Sequence, residues 1–195
     1  NYARTVFDGL KALTHPDGSR KIFRMDQNIA RLAQSSRLLS LPEVDEAMLR
    51  KMILDLVIRY KDEVPAPPGT LYLRPTHIGT EAAIGKAAAP SSQSMLYVLA
   101  SPVGDYFAGG DATLRILIDE VGMRCAPHMG MVKRGGTYAS ALQILNKARV
   151  EHKADQVVFC PDGDGQETAA ANFMLIEGDD IVTQLLDTTL LHVMT

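Results

Sequence analysis

Lys133 stands in the stretch MVKRGGTY, residues 131–138, where a Lys–Arg pair is followed by two glycines and a Thr–Tyr pair. A lysine amine can attack a carbonyl and form a Schiff base. To do so it must reach the carbonyl and be partly deprotonated, which a tight, partly desolvated pocket favours. Taken alone, Lys133 reads as a solvated charge and Gly135–Gly136 as a turn. The stretch is not a Walker phosphate loop, because its glycines follow the lysine and the upstream glycine spacing is wrong.

The neighbours change that reading. Schiff-base chemistry on pyridoxal phosphate (PLP) needs a partner for the pyridine nitrogen, a cation for the phosphate and a hydrogen-bond donor for the ring oxygen. Glu167 lies in GQETAAANFMLI, a carboxylate among alanines before an apolar strand, where an edge-of-strand glutamate is the ordinary alternative. Arg31 lies in NIARL on an otherwise apolar helical stripe. Arginine suits phosphate, although a solvated helical arginine is commoner. Tyr138 is five residues past Lys133.

The elements that must position these groups follow from periodicity. Residues 26–40 predict a helix with Asp26 as its N-cap and Ile29, Leu32, Leu38 and Leu39 on the apolar side. Residues 45–61 predict a stronger one, with Met48, Leu49, Met52, Ile53, Leu56 and Val57 as its stripe. VPAPPG at 64–69 cannot continue it. Strands are expected at 70–75, 94–100 and 113–119, a helix over about Tyr138–Lys153, then strands QVVFC, NFMLIE and IVT separated by PDGDG and GDD turns. The Pro- and Gly-rich SPVGDYFAGGDA between the second and third strands fits an interdomain connection. Helix and sheet mix without strict alternation, so the expected class is α+β.

The 195 residues are 46% apolar and 22% charged, with a formal charge of −3. That balance gives no basic field for nucleic acid, and no apolar run nears the roughly 20 residues of a membrane span. Cys125 and Cys160 have no metal spacing and no metal site is expected; they read as free thiols of a reducing compartment, with a lone disulfide the alternative. The chain opens at Asn1 and stops at LLHVMT, so both ends are expected to be cuts through a longer protein.

Eight stretches, VFDGLKA, IFRMDQNIARL, GTLYLRP, ASPVGDYFAGG, VKRGGTYASAL, DQVVF, QETAAANF and IVTQLLDTTLLHVMT, cover almost the whole chain. In this order they resemble the fold-type IV PLP enzymes, and within that group the branched-chain amino acid aminotransferases. The resemblance implies a small α/β N-terminal domain over 1–101 whose start is missing and an interdomain loop at 102–111. It also implies a larger, mixed-sheet, barrel-like cofactor domain over 112–195 whose C-terminal part is missing.

It further implies that Lys133 is the catalytic residue, carrying PLP as a Schiff base and later moving the proton between Cα and the cofactor. Glu167 would pair with the protonated pyridine nitrogen, Tyr138 would bond the phenolic oxygen, and Arg31 would bind the phosphate. Met194 and Thr195 match a second phosphate contact made by a turn, in which Val193 replaces the family's glycine. Tyr72 and Arg74, two apart on one side of a strand, match the substrate pocket. There the arginine helps accept the second carboxylate of glutamate or 2-oxoglutarate. Phe7 matches an apolar wall and Tyr106 the covering interdomain loop. Thr137 stands where the family commonly has Asn, and ETAAAN has alanines where glycine is frequent.

The implied activity is transfer of the amino group of Leu, Ile or Val to 2-oxoglutarate, in branched-chain amino acid biosynthesis. The implied partners are amino acid and 2-oxo acid substrates and a second copy of the chain in a homodimer, in the cytoplasm, with an organelle as the alternative. The alternatives are a D-amino-acid transaminase or an aminodeoxychorismate lyase of the same fold, or a non-catalytic remnant.

Overall fold

The computed structural model describes residues 4–104 and 113–192, and the chain divides between these spans into two units. The first contains β1 (Thr5–Phe7), β2 (Leu10–Thr14), β3 (Arg20–Ile22), α1 (Met25–Leu38), α2 (Glu46–Arg59), β4 (Thr70–Gly79) and β5 (Ser94–Val103). All pairings in its five-stranded sheet are antiparallel. β4 is central: β5 runs along its whole length on one side, while β2 and then β1 share the other.

Pro75 explains how β4 can be longer than the expected 70–75. A proline cannot donate to a ladder, so its place in a central strand must fall at a gap. Here the Asp8 N–H donates to the Pro75 carbonyl at 3.0 Å. The proline backbone therefore faces the break between β1 and β2, and β4 continues past it to Gly79.

α2 packs on β4 and β5, and α1 on β1 and α2. The core between helices and sheet holds Val6, Ala12, Ile29, Leu32, Leu49, Ile53 and Leu73. Two details differ from expectation. Asp26 does not cap α1; the N-cap is Arg24, in the left-handed region at φ 48° with no side-chain cap, and Asp26 sits inside the first turn. Met48 and Leu38 are exposed, because burial follows a narrower stripe of Leu49, Ile53 and Val57 on α2, and of Ile29 and Leu32 with small residues on α1.

The second unit begins with a parallel pair, β6 (Ile116–Asp119) and β7 (Gln156–Phe159), linked through α3 (Gly135–His152). α3 packs Ala141, Leu145 and Ala148 against Val157 and Phe159. The chain then forms an exposed antiparallel hairpin, β8 (Leu175–Glu177) and β9 (Asp180–Val182), with Gly178 at φ 63° in its turn. α3 starts at Gly135, three residues before the expected Tyr138, so the glycine pair is the first turn of a helix rather than a loop. β6 starts at Ile116 rather than 113, and β8 at Leu175 rather than 172. Pro102 and Val103, at the start of the expected interdomain loop, are the last residues of β5.

Candidate active site

Lys133 lies at the end of a loop that enters α3. The loop is anchored by buried Val132 just before the lysine and by Arg134 as N-cap just after it. Tyr138 lies one turn into α3. Its hydroxyl accepts a hydrogen bond from Lys133 Nζ at 2.6 Å. The amine is 5.1 Å from the ring centroid. It therefore sits off the hydroxyl end rather than over the ring face, and the contact is a hydrogen bond rather than a cation–π pair. Arg134 Nε donates to Thr137 Oγ1 at 3.2 Å, and buried Thr137 fixes this corner.

Glu167 is 4% exposed, so its carboxylate must be satisfied internally. Asn172 Nδ2 and the Leu191 N–H donate to Oε1 at 3.0 and 2.6 Å. Arg124 Nη2 lies 2.9 Å from Oε2. Donors alone meet the carboxylate in these contacts, which suits an acceptor-only anion. A short backbone bridge between Glu167 and Asn172 turns the chain so that the amide reaches back. A cavity of about 200 Å³ borders this group, lined by Glu167, Asn172, Met174, Leu186, Leu190 and Leu191.

Arg124 was missed from the sequence. In VGMRCAPHMG it has no periodic partner, and its only signal is the one that singled out Glu167: a charge among small and apolar residues. It is as buried as the glutamate. The Ser140 hydroxyl on α3 donates to the Arg124 carbonyl at 3.0 Å. Arg124 and Arg134 also line a second, more open cavity of about 390 Å³ with Cys125. Burial pushes the Cys125 thiol pKa up, and the two arginines only partly offset it.

The remaining sites lie in the first unit. Arg31 is buried on α1 and faces fully buried Asp8 at the β1–β2 break, with Nε on Oδ2 at 2.7 Å and Nη2 on Oδ1 at 2.8 Å. Asn28 Nδ2 and the Gly9 N–H complete the shell of Oδ1 at 2.8 and 2.7 Å. The side-on fork fixes the guanidinium in one orientation.

Phe7, Tyr72 and Arg74 come together on the sheet. The Arg74 guanidinium lies 5.1 Å from the Phe7 ring centroid and 5.2 Å from that of Tyr72, and Nε and Nη2 reach the Tyr72 hydroxyl at 3.4 Å. Cross-strand register explains the grouping: Phe7 opposes Thr76 and Tyr72 opposes Lys11, which sets all three side chains over the Asp8–Gly9 break. Gly9 leaves room for the Tyr72 phenol in this position, since a Cβ on it would lie 2.3 Å from the Tyr72 hydroxyl oxygen. Tyr106, Met194 and Thr195 lie outside the described residues.

The family profile "Amino-transferase class IV" matches residues 5–194. The "Probable branched-chain-amino-acid aminotransferase" of Streptomyces coelicolor is 37% identical over 202 residues, covering 100% of this chain and 55% of that protein. Branched-chain-amino-acid transaminase 1 of Bacillus subtilis is 36% identical over 203 residues, covering 100% and 56%. The chain thus spans a little over half the length of these curated relatives. In fold it is similar to the branched-chain amino acid aminotransferase of Thermobaculum terrenum solved in its PLP form. The TM-score is 0.80 at 17% identity, over 99% of this chain and 62% of that one. A profile match along nearly the whole chain, with full-coverage relatives well above 30% identity, means that this chain belongs to the amino-transferase class IV family of enzymes.

Proposed function

We propose that this chain functions in PLP-dependent transfer of the amino group of Leu, Ile or Val to 2-oxoglutarate. The observation that carries the reading is the buried Glu167 carboxylate, fixed by Arg124, Asn172 and Leu191 in the same unit as the Lys133–Tyr138 pair. The names of the relatives support the substrate class, and the PLP form of the structural relative supports the cofactor.

The residues present fit that group. A lysine amine held by a phenol suits covalent attachment of an aldehyde. A buried carboxylate oriented by neighbouring donors suits a cationic ring nitrogen, and an arginine oriented side-on by a buried aspartate suits a phosphate. Lys133 would hold the cofactor, Glu167 the pyridine nitrogen, Tyr138 the phenolic oxygen, and Arg31, with Met194 and Thr195, the phosphate. When bound, PLP supplies an electron sink for the pair left when the α-proton departs. Lys133 Nζ would carry that proton between the substrate Cα and the cofactor, and Tyr138 would keep the amine from swinging free. Glu167 keeps the ring nitrogen protonated, because a nearby anion favours a cation. Phe7 and Tyr72 give an apolar wall for a branched side chain, and Arg74 beside them receives a second carboxylate, with Tyr106 part of the cover. A homodimer in the cytoplasm is part of the same proposal and rests on the family likeness.

The test is chemical. The protein is incubated with PLP, reduced with borohydride and mapped by peptide. The pyridoxyl label is expected on Lys133, and addition of leucine before reduction is expected to release it as pyridoxamine phosphate. Glu167→Gln should keep the label yet slow that release strongly. A label on Lys147 or Lys153, or a Glu167→Gln variant with wild-type single-turnover rates, would overturn the assignment.

A further inference from the structure

We propose that Gly130 is a positioning residue for Glu167, an inference that rests on the reading of Glu167 above. The loop that presents Lys133 also carries Gly130, three residues earlier. Its N–H donates to the Thr188 carbonyl at 2.9 Å. A Cβ on Gly130 would lie 2.0 Å from the carbonyl carbon of Thr189 and 2.1 Å from its oxygen. Those are backbone atoms that no rotamer change can move aside, so only glycine permits this approach. The contact fastens the segment that follows β9 onto the lysine loop.

Two residues past Thr189 the fastened segment delivers its functional group. The Leu191 N–H donates to Glu167 Oε1 at 2.6 Å, and the Leu191 carbonyl accepts from Asn172 Nδ2 at 3.2 Å. Asn172 Nδ2 also reaches Oε1. One strap therefore supplies one donor to the carboxylate directly and orients a second. Asp187 stiffens it locally, since its Oδ1 accepts from the Thr189 N–H at 2.7 Å and from the Thr189 hydroxyl at 2.6 Å. Lys133 and the aim of Glu167 thus depend on the same few residues of loop. Moving the strap costs Oε1 the Leu191 donor and takes from the Asn172 amide the carbonyl that helps orient it.

Amide hydrogen exchange on the full chain without cofactor tests this independently of the cofactor reading. In the unaltered protein the Gly130 and Leu191 amides are expected to exchange through one opening, with matching protection across a denaturant series. Leu191 remaining protected where Gly130 already exchanges would overturn the proposal. In Gly130→Ala, Leu191 protection is expected to fall by about tenfold or more while Val157 and Phe159 in β7 keep theirs, because the lost bond is one to a charged group. Gly165→Ala is the control, since a Cβ there meets only Cys160 Sγ at an ordinary 3.7 Å. Unchanged Leu191 exchange in Gly130→Ala, or an equal loss in the control, would overturn it too. PLP titration of both variants then reads the functional side. Weaker retention in Gly130→Ala alone supports the role, whereas failure of Glu167→Gln to alter turnover would remove the reading of Glu167 and leave the strap intact.

Discussion

Arg74 is the residue on which dual substrate use turns. The two half-reactions would share one pocket, in which leucine brings an apolar branch and glutamate a carboxylate that needs a partner. The arginine is exposed between two rings. Its charge-assisted bond therefore belongs at the low end of the usual range, about 1.5 kcal/mol. Arg74→Ala should slow the glutamate half-reaction about tenfold and the leucine half-reaction much less. Gly9→Ala should act in the same direction by pushing the Tyr72 phenol off its seat. Stopped-flow measurement of each half-reaction checks both variants, and equal losses for leucine and glutamate would mean that Arg74 only supports the sheet. At this scale the sequence was readable where a residue type was out of place, as with Glu167 among alanines. Arg124 and Asp8 were not readable, because their importance comes from partners 43 and 23 positions away, and no local pattern marks such pairs.

Helix termini show how far local rules reach. Asp26 is the cap expected from the sequence, and Asp45 likewise stands at the start of an apolar periodicity. Only Asp45 has the extended backbone of an N-cap, and its side chain accepts from the Met48 N–H at 2.9 Å. Asp26 is one residue inside α1 and pairs instead with Arg50 on the surface. Tertiary entry of the chain from β3 forces Arg24 into the left-handed region and takes the cap position from the aspartate. Asp45→Ala should thus cost about 1 kcal/mol, and Asp26→Ala only a few tenths, as for an exposed ion pair. Urea unfolding of the two variants separates them, and equal costs would show that the cap bond carries no stability. The helices themselves were legible because their stripes are strong. The three short strands β1, β2 and β3 were not, because strands of three to five residues carry too little alternation to stand out and are held by register with β4.

At the scale of the whole chain, two units with separate cores should respond differently to acid. His77 lies on β4 at the centre of the first unit, 2% exposed, with its Nδ1 2.9 Å from the Ser36 hydroxyl on α1. Burial holds its pKa below the ordinary 6.5, since the charged form loses its water. The unfolded chain then binds a proton at a pH where the folded unit does not, so stability is fully present above 6.5 and falls as pH drops below it. The loss stops once the folded histidine is itself protonated. One proton limits the slope to about 1.4 kcal/mol per pH unit. A second window lies lower. Glu81 is pulled from the ordinary 4.5 to about 2 by the Ser92 N–H, the Lys86 amine and the Ser92 hydroxyl. Its contribution is present above 4.5 and lost as pH falls through about 2. Both groups belong to the first unit but only the His77 window falls between pH 7.5 and 5, so acidification over that range should weaken hydrogen-exchange protection of β4 and β5 amides by the amount that His77→Asn abolishes. The β7 amides of the second unit serve as the internal reference. Parallel pH profiles for the His77→Asn variant and the unaltered chain would mean that the imidazole takes up its proton equally in the folded and unfolded states over this range, and that acid sensitivity above pH 5 has another origin.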